Sequence, residues 1–127
     1  MTTGELDFLE ACLDRHAAQP EVVQGRRYLQ PAGDHDFHVA IMRASHNPRL
    51  ERALYGDIYD VLRLYRVRSS TTPGRSQQAL EEHRLILRAL QRRDADEAEQ
   101  MMRNHIKISW ANTRLSFENY SHTQNGQ

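Results

Sequence analysis

Apolar residues recur along this chain at intervals of three and four, which is the spacing of one face of an α-helix. No segment has the strict apolar–polar alternation that is typical of a β-strand. The pattern is interrupted at proline, glycine and clustered small polar residues, as it is between helices. It predicts an all-α antiparallel bundle of about six helices, in which sequence neighbours pack together because their connections are short. The predicted helices span about residues 5–16, 20–29, 34–45, 49–68 and 76–92, with a last helix from 94.

The length and composition are those of one ordinary globular domain. A folded domain is predicted over residues 1–119, followed by a polar, frayed tail at 120–127. Seventeen basic and 17 acidic residues balance, so no global charge points to nucleic acid or membrane. The single cysteine, Cys12, excludes an internal disulfide and is expected to be a buried, inert thiol. Because neither a signal peptide nor a transmembrane run is apparent, a soluble cytoplasmic protein is expected.

Four polar residues stand where the helical pattern calls for apolar ones. Asp34 and His38 are four residues apart, so a helix would place both on one face. His83 and His105 each lie 11 residues from Asp94, where the chain is expected to reverse. Both would then sit roughly 16 Å from the turn, at one level of an antiparallel helix pair. The spacing predicts that one carboxylate and three imidazoles converge inside the bundle.

A divalent metal would satisfy all four groups together. Each histidine alone is more simply a hydrogen-bonded core residue, but burying all four groups unpaired costs several kcal/mol. Imidazole and carboxylate ligands suit zinc, and also nickel, manganese or iron. Asp34, His38, His83 and His105 are therefore the predicted metal ligands.

Such a site also predicts the chemistry of a ligand. Three neutral histidines, one aspartate and a divalent ion leave one positive charge, which favours a small carboxylate at open coordination positions. Arg63, Arg66 and Arg68 are candidates to hold the far end of that carboxylate. The alternative for these arginines is a solvated helix face.

Other polar residues near the motif carry weaker signals. Asp57 is expected level with His38, which gives it a candidate role in orienting a metal ligand. His35 and Asp36 would point to other sides of the helix and are expected to face solvent. His46 is expected at a helix end, before Asn47-Pro48.

These residues, in this order, resemble the FCD domain, the effector-binding domain of FadR-type regulators in the GntR superfamily. The resemblance covers about residues 5–118 and rests on an ordered set of motifs with a 22-residue gap between the last two histidines. The matching stretches are Asp34-His35-Asp36-Phe37-His38, residues 44–50, residues 82–90, Arg93-Asp94 with Ala98, and residues 102–106.

The resemblance implies an antiparallel helical bundle that holds a divalent metal through an Asp and three His, here Asp34, His38, His83 and His105. It also implies that a small organic acid binds at the metal and changes how a dimer presents winged helix-turn-helix domains to DNA. The sequence departs from the full pattern, since residues 5–16 resemble the second FCD helix. We therefore expect DNA binding only through a winged-helix domain not present in this chain, and self-association to a homodimer that fills the exposed groove.

Three functions follow from these observations. The first is a ligand-sensing domain rather than an enzyme, because no further general base or nucleophile is apparent near the motif. The second is a metal-dependent hydrolase, for which Asp57 is the only candidate base. The third is a helical interaction module whose histidines are structural.

Overall fold

The computed structural model describes residues 1–31 and 33–126, without the side chain of Asp57. This part of the chain forms helices joined by turns and short irregular segments, without a strand, which confirms the all-α prediction. Its seven α-helices are α1 (Thr3–Ala17), α2 (Pro20–Val23), α3 (Phe37–Ala44), α4 (Pro48–Glu51), α5 (Tyr59–Ser70), α6 (Arg75–Gln91) and α7 (Ala95–Asn125). A 3-10 turn, Gly33–His35, precedes α3, and a π-helix, Arg52–Asp57, joins α4 to α5.

Side-chain caps fix where several helices begin. Thr2 and Glu5 form a reciprocal capping box at the start of α1. The carboxylate of Asp36 accepts from two backbone amides of α3, so this helix begins directly after it. Asn47 caps α4, which has Pro48 at its first position. These caps satisfy amide groups that have no partner within the helix.

The hydrophobic core lies between α1, α3 and α6. Leu9, Leu13 and Phe37 are fully buried there, together with Ile86 and Leu87 of α6. Helix α6 also packs along α7, and α7 packs against α5. Helix α6 is therefore central, because its two sides contact α1 and α7.

The hairpin of α6 and α7 has the predicted geometry. Asp94 caps α7 by accepting from the amide of Glu97 at 3.0 Å, and the chain reverses between Gln91 and Ala95. His83 and His105, at equal distance from Asp94, face each other with their Nε2 atoms 3.2 Å apart.

The prediction of one continuous helix over residues 49–68 is wrong in the middle of that range. The π-helix interrupts it, and an additional residue in a turn rotates the following residues by about 100°. The three- and four-residue apolar spacing of this segment predicts an inward stripe that includes Ile58, Val61 and Tyr65. The buried face of α5 instead falls one residue later, at Tyr59. Val61 and Tyr65, expected inward, are 53% and 46% exposed.

Helix α7 runs on into the C-terminal segment, for which the sequence predicts a frayed tail. Helix α7 continues to Asn125, so residues 120–125 are helical, and their side chains are exposed. None of the described helices combines the length and the apolar character needed to cross a membrane.

Candidate metal centre

Three histidines from three helices converge at one point in the bundle. His38 comes from α3, His83 from α6 and His105 from α7. The Nε2 atom of His105 lies 3.2 Å from that of His38 and 3.2 Å from that of His83. His83 and His105 are 1% and 5% exposed. One nitrogen of each ring therefore points into a common, mostly buried space.

The spacing of these nitrogens fits a metal ion. Zinc binds imidazole nitrogen at about 2.0–2.1 Å, so two nitrogens on one tetrahedral ion lie about 3.3 Å apart. The two measured separations of 3.2 Å agree with this value. The three side chains form a group whose ligand atoms all lie within 4.8 Å of one another. The donor set and its geometry therefore fit a divalent metal.

Polar partners hold the outer nitrogen of two of these rings. The Nδ1 atom of His105 donates to Glu82 Oε1 at 2.6 Å, since a carboxylate only accepts. The Nδ1 atom of His83 lies 3.3 Å from the hydroxyl of Tyr28. Outer partners of this kind fix the tautomer and orientation of metal-binding histidines.

His38 has two outer partners that favour opposite tautomers. Arg66 Nη1 lies 2.9 Å from His38 Nδ1 and can only donate, which places the ring proton on Nε2. The Asp36 carboxylate lies 3.4 Å from the same Nδ1 and can only accept, which places the proton on Nδ1. In the second tautomer Nε2 is free to bind a metal, so Asp36 is the partner that would prepare His38 as a ligand.

His38 and His83 are held in their neutral form. Burial lowers the pKa of His38 to about 4, despite a hydrogen bond with Asp36 that opposes the effect. Burial likewise lowers the pKa of His83 well below its usual range, helped by the neighbouring histidines. Neutral imidazole is the form that binds a metal, so at pH 7 both rings need lose no proton to do so.

Two largely buried carboxylates, those of Asp36 and Glu82, lie beside the histidines and are ionised and paired with arginines. Burial alone would raise the pKa of Asp36, but hydrogen bonds from His38 and Arg66 hold it far below its usual range. Arg75 donates to both oxygens of Glu82, at 2.7 and 2.9 Å. Hydrogen bonds from His105 and Arg75 lower the pKa of Glu82 against the effect of burial. The charges of these carboxylates are therefore balanced within the protein.

The structure does not bring Asp34 to the histidines. Asp34 lies in the 3-10 turn, exposed, and forms an ion pair with Arg43. The expectation that Asp34 and His38 share a helical face is wrong, because α3 begins only after Asp36. That Asp34 completes the ligand set stays a prediction, and it requires the turn to move.

The expectation that Asp36 faces solvent is also wrong. Its side chain is fully buried and contacts Arg66, Tyr59 and His38. The signal was present in the sequence, since aspartate directly before an apolar helix such as Phe37–Ala44 is a preferred N-cap.

Glu82 and Arg75 were also missed by sequence reasoning. They lie seven residues apart on α6, two turns along one helical face, and Glu82 directly precedes His83. Arg75 is 3% exposed and also donates to Ser109 Oγ of α7 at 2.8 Å.

Of the three predicted effector-binding arginines, only Arg66 lines the cavity beside the histidines. This cavity of about 40 Å³ is bordered by the three histidines, Arg66 and Arg75, and by the hydroxyl-bearing residues Tyr28, Ser69, Ser70 and Ser109. Arg63 instead donates to the backbone oxygen of Gln30 at 3.1 Å. Arg68 lies over the ring of Phe117 on α7, 4.5 Å from its centre.

The remaining candidates lie away from this centre or outside the described residues. The side chain of Asp57 is not among those described, so its predicted role stays a prediction. His35 is exposed, as expected, and His46 ends a helix, where it pairs with Glu5 at 2.9 Å. Cys12 is fully buried, which confirms the predicted burial, and burial raises the pKa of its thiol to about 11.

Comparison with known protein families gives one match. The FCD domain matches residues 1–107 of the 127-residue chain. A search among curated proteins found no match. The matched range contains the three converging histidines, the two buried carboxylates and both paired arginines.

Proposed function

This chain belongs to the FCD domain family, and from that premise we propose that it senses a small organic acid through a divalent metal held by His38, His83 and His105. FCD domains are the effector-sensing domains of GntR-type transcription regulators, which are regulatory proteins. In such a regulator the DNA is bound by a separate winged-helix domain. Binding of the acid would change how that domain meets its operator.

The convergence of three Nε2 atoms is the observation that carries the proposal. A histidine that only packs in a core has no reason to point its free nitrogen at two others. Here α3, α6 and α7 each contribute one ring, and the Nε2 separations of 3.2 Å match those around a tetrahedral zinc ion. Bound zinc would supply a Lewis-acidic centre that attracts an anion. Nickel, manganese and iron are compatible with the same ligands.

Charge and cavity size support a small carboxylate as the effector. Because Asp36 and Glu82 are balanced by Arg66 and Arg75, the ion would keep its positive charge toward the cavity. The Nε atom of Arg66 is buried without a hydrogen-bond partner among the described residues, and so can donate to an anion. A cavity of about 40 Å³ accommodates a carboxylate group or a few water molecules, not a large metabolite.

We expect a small carboxylate to stabilise the zinc-loaded protein and to have no effect on the metal-free protein. The measurement is the thermal unfolding midpoint with acetate, malonate or citrate, with and without one equivalent of zinc. An acid at 100 times its dissociation constant adds about 2.7 kcal/mol to the free energy of unfolding.

Two arginine variants provide the control for that measurement. Arg66→Lys keeps the charge but loses the planar fork that grips a carboxylate, so it should remove most of the shift. Arg68→Lys, on the side of α5 that faces Phe117, should keep it. An equal shift with and without zinc would contradict the proposal that the acid binds at the metal.

We further propose that a second copy of this chain covers the apolar face formed by α5 and α7. A groove of about 670 Å³ there is lined mainly by Val61, Leu64, Tyr65 and Phe117. The same two helices expose Leu115 and Tyr120, 54% and 56% accessible, which can fill the groove of a partner. One face that offers both groove and ridge suits a two-fold dimer, in which each copy contributes the same patch.

Light scattering after size-exclusion chromatography should find a dimer at tens of micromolar. Leu64 is 71% exposed, and Leu64→Glu would place a charge in the apolar contact and raise the dissociation constant at least tenfold, about 1.4 kcal/mol. Val23→Glu, at a residue of α2 that is 61% exposed, is the matched control and should leave the dimer intact. A monodisperse monomer of the parent chain would contradict the dimer.

A further inference from the structure

A buried chain of polar side chains leads away from the proposed metal centre toward α1. His83 Nδ1 lies 3.3 Å from the hydroxyl of Tyr28, and that hydroxyl lies 2.6 Å from His16 Nδ1. The other nitrogen of His16, Nε2, lies 2.9 Å from the backbone oxygen of His35. This series of hydrogen bonds thus connects α6, the segment after α2, α1 and the turn before α3.

The positions of the hydrogens in this series of hydrogen bonds can be assigned by starting from the backbone oxygen of His35. The backbone oxygen of His35 only accepts, so His16 carries its proton on Nε2 and its Nδ1 is an acceptor. The Tyr28 hydroxyl must then donate to His16 Nδ1, which leaves its own oxygen to accept from His83 Nδ1. His83 therefore carries its proton on Nδ1, and its Nε2 presents a lone pair toward His38 and His105.

We propose that Tyr28 and His16 are positioning residues for the metal, since their relay holds His83 in the tautomer that binds it. The inference rests on the proposed function, because it concerns the same three-histidine centre. The relay does for His83 what Glu82 does for His105, and what Asp36 would do for His38 in the tautomer that binds a metal. All three ligands thereby have an outer partner for Nδ1.

Because the relay is buried, water cannot readily replace one of its members. His16, Tyr28 and His83 are 2%, 6% and 1% exposed, so water has little access to replace a missing partner. Without the Tyr28 hydroxyl, His83 Nδ1 loses its acceptor, and the ring gains nothing by keeping its proton there. The proton then moves to Nε2, the atom that has to bind the metal.

The test compares zinc affinity of the full chain and its variants by competition with a chromophoric chelator. Tyr28→Phe keeps the ring, which packs against Val22 and Ala79, and removes only the hydroxyl. It should weaken zinc binding about 10- to 100-fold, as the loss of an outer partner does at other metal sites. Tyr55→Phe, at a half-buried tyrosine of the π-helix, should bind zinc as the parent does.

Variants of His16 test whether the relay acts through Tyr28. His16→Leu removes the acceptor for the Tyr28 hydroxyl and should weaken zinc binding several-fold. His16→Gln can donate to the His35 oxygen and accept from Tyr28, so it should restore affinity. In the double variant with Tyr28→Phe, His16→Leu should cause no further loss, because both changes interrupt one chain.

A spectroscopic measurement reads the tautomer directly. Long-range proton–nitrogen correlation spectra of the metal-free protein should find His83 protonated at Nδ1, and protonated at Nε2 or mixed in Tyr28→Phe. This readout does not need zinc, and a purely structural role for Tyr28 would not change it. If Tyr28→Phe fails to fold, the two His16 variants and the parent spectrum decide the matter.

The outcomes separate this inference from the proposed function. A parent chain that binds no zinc overturns both. A parent that binds zinc, with Tyr28→Phe within twofold of it and an unchanged His83 tautomer, overturns the relay and leaves the metal centre intact. Additive losses in the double variant overturn the claim that His16 acts through Tyr28.

Discussion

Zinc binding should disappear when His83 and His105 are both replaced by alanine. The parent chain is expected to hold about one zinc per chain by elemental analysis, and the double variant none, because His38 alone cannot retain the ion. Zinc at 100 times its dissociation constant should add about 2.7 kcal/mol to the free energy of unfolding of the parent, and a chelator should remove it. The variant should unfold at the same temperature with and without zinc.

A control with the same number of imidazoles makes this result specific. His35→Ala with His122→Ala removes two exposed histidines and should leave the bound zinc unchanged. The alternative of a helical module with structural histidines predicts something different. In that case His83→Leu with His105→Leu would be as stable as the parent or more so, and the parent would not respond to zinc.

Replacing Asp36 by asparagine should lower the free energy of unfolding by about 3 kcal/mol. The asparagine can still cap α3, but it removes the negative charge that pairs with the Arg66 guanidinium. Breaking a buried ion pair in this way costs about 3–5 kcal/mol, and the lower value applies because Arg66 is 27% exposed. Urea unfolding of the metal-free protein measures the loss.

Asp34→Asn is the matched comparison, since it makes the same chemical change two residues earlier. The pair between Asp34 and Arg43 is 66% and 39% exposed, so its loss should cost less than about 1 kcal/mol. Equal losses in the two variants would contradict the buried role of Asp36. The two variants also test whether Asp34 is a metal ligand. A large loss of zinc affinity in Asp34→Asn would identify Asp34 as a ligand.

The sequence was sufficient for the parts of the centre that depend on helical periodicity. His83 and His105 could be paired because they lie at equal distance from Asp94, and a hairpin of two regular helices preserves that equality. His38 could be added to this pair because it too stands where the helical pattern calls for an apolar residue.

The position of Asp34 was predicted wrongly because a short irregular segment decides it. A helix extended back to Asp34 would place that residue above His38, but Asp36 caps the helix and the chain before it forms a 3-10 turn. Because the helix begins later than expected, Asp36 is buried and Asp34 is exposed. Helix boundaries are the least reliable part of a sequence-based assignment, and both Asp34 and Asp36 are of a residue type that caps helices.

The outer partners could not be predicted because they depend on packing between distant segments. Tyr28 and His83 are 55 residues apart, and His16 meets the oxygen of His35 across 19 residues. Nothing in the local sequence indicates that Tyr28 or His16 contacts these partners. His16 in particular has the surroundings of an ordinary polar residue near a helix end, and only the fold reveals that it is buried.

The π-helix before α5 links two properties that look unrelated. Its additional residue turns Arg66 toward Asp36, and the same rotation leaves Val61 and Tyr65 on the outside. The ion pair beside the histidines and the apolar outer surface are thus opposite sides of one helix, fixed by a single register shift. If α5 turned about its long axis, the contact of Arg66 with His38 and the exposure of Val61 and Tyr65 would change together, so the proposed metal centre and the proposed dimer surface would respond to one movement.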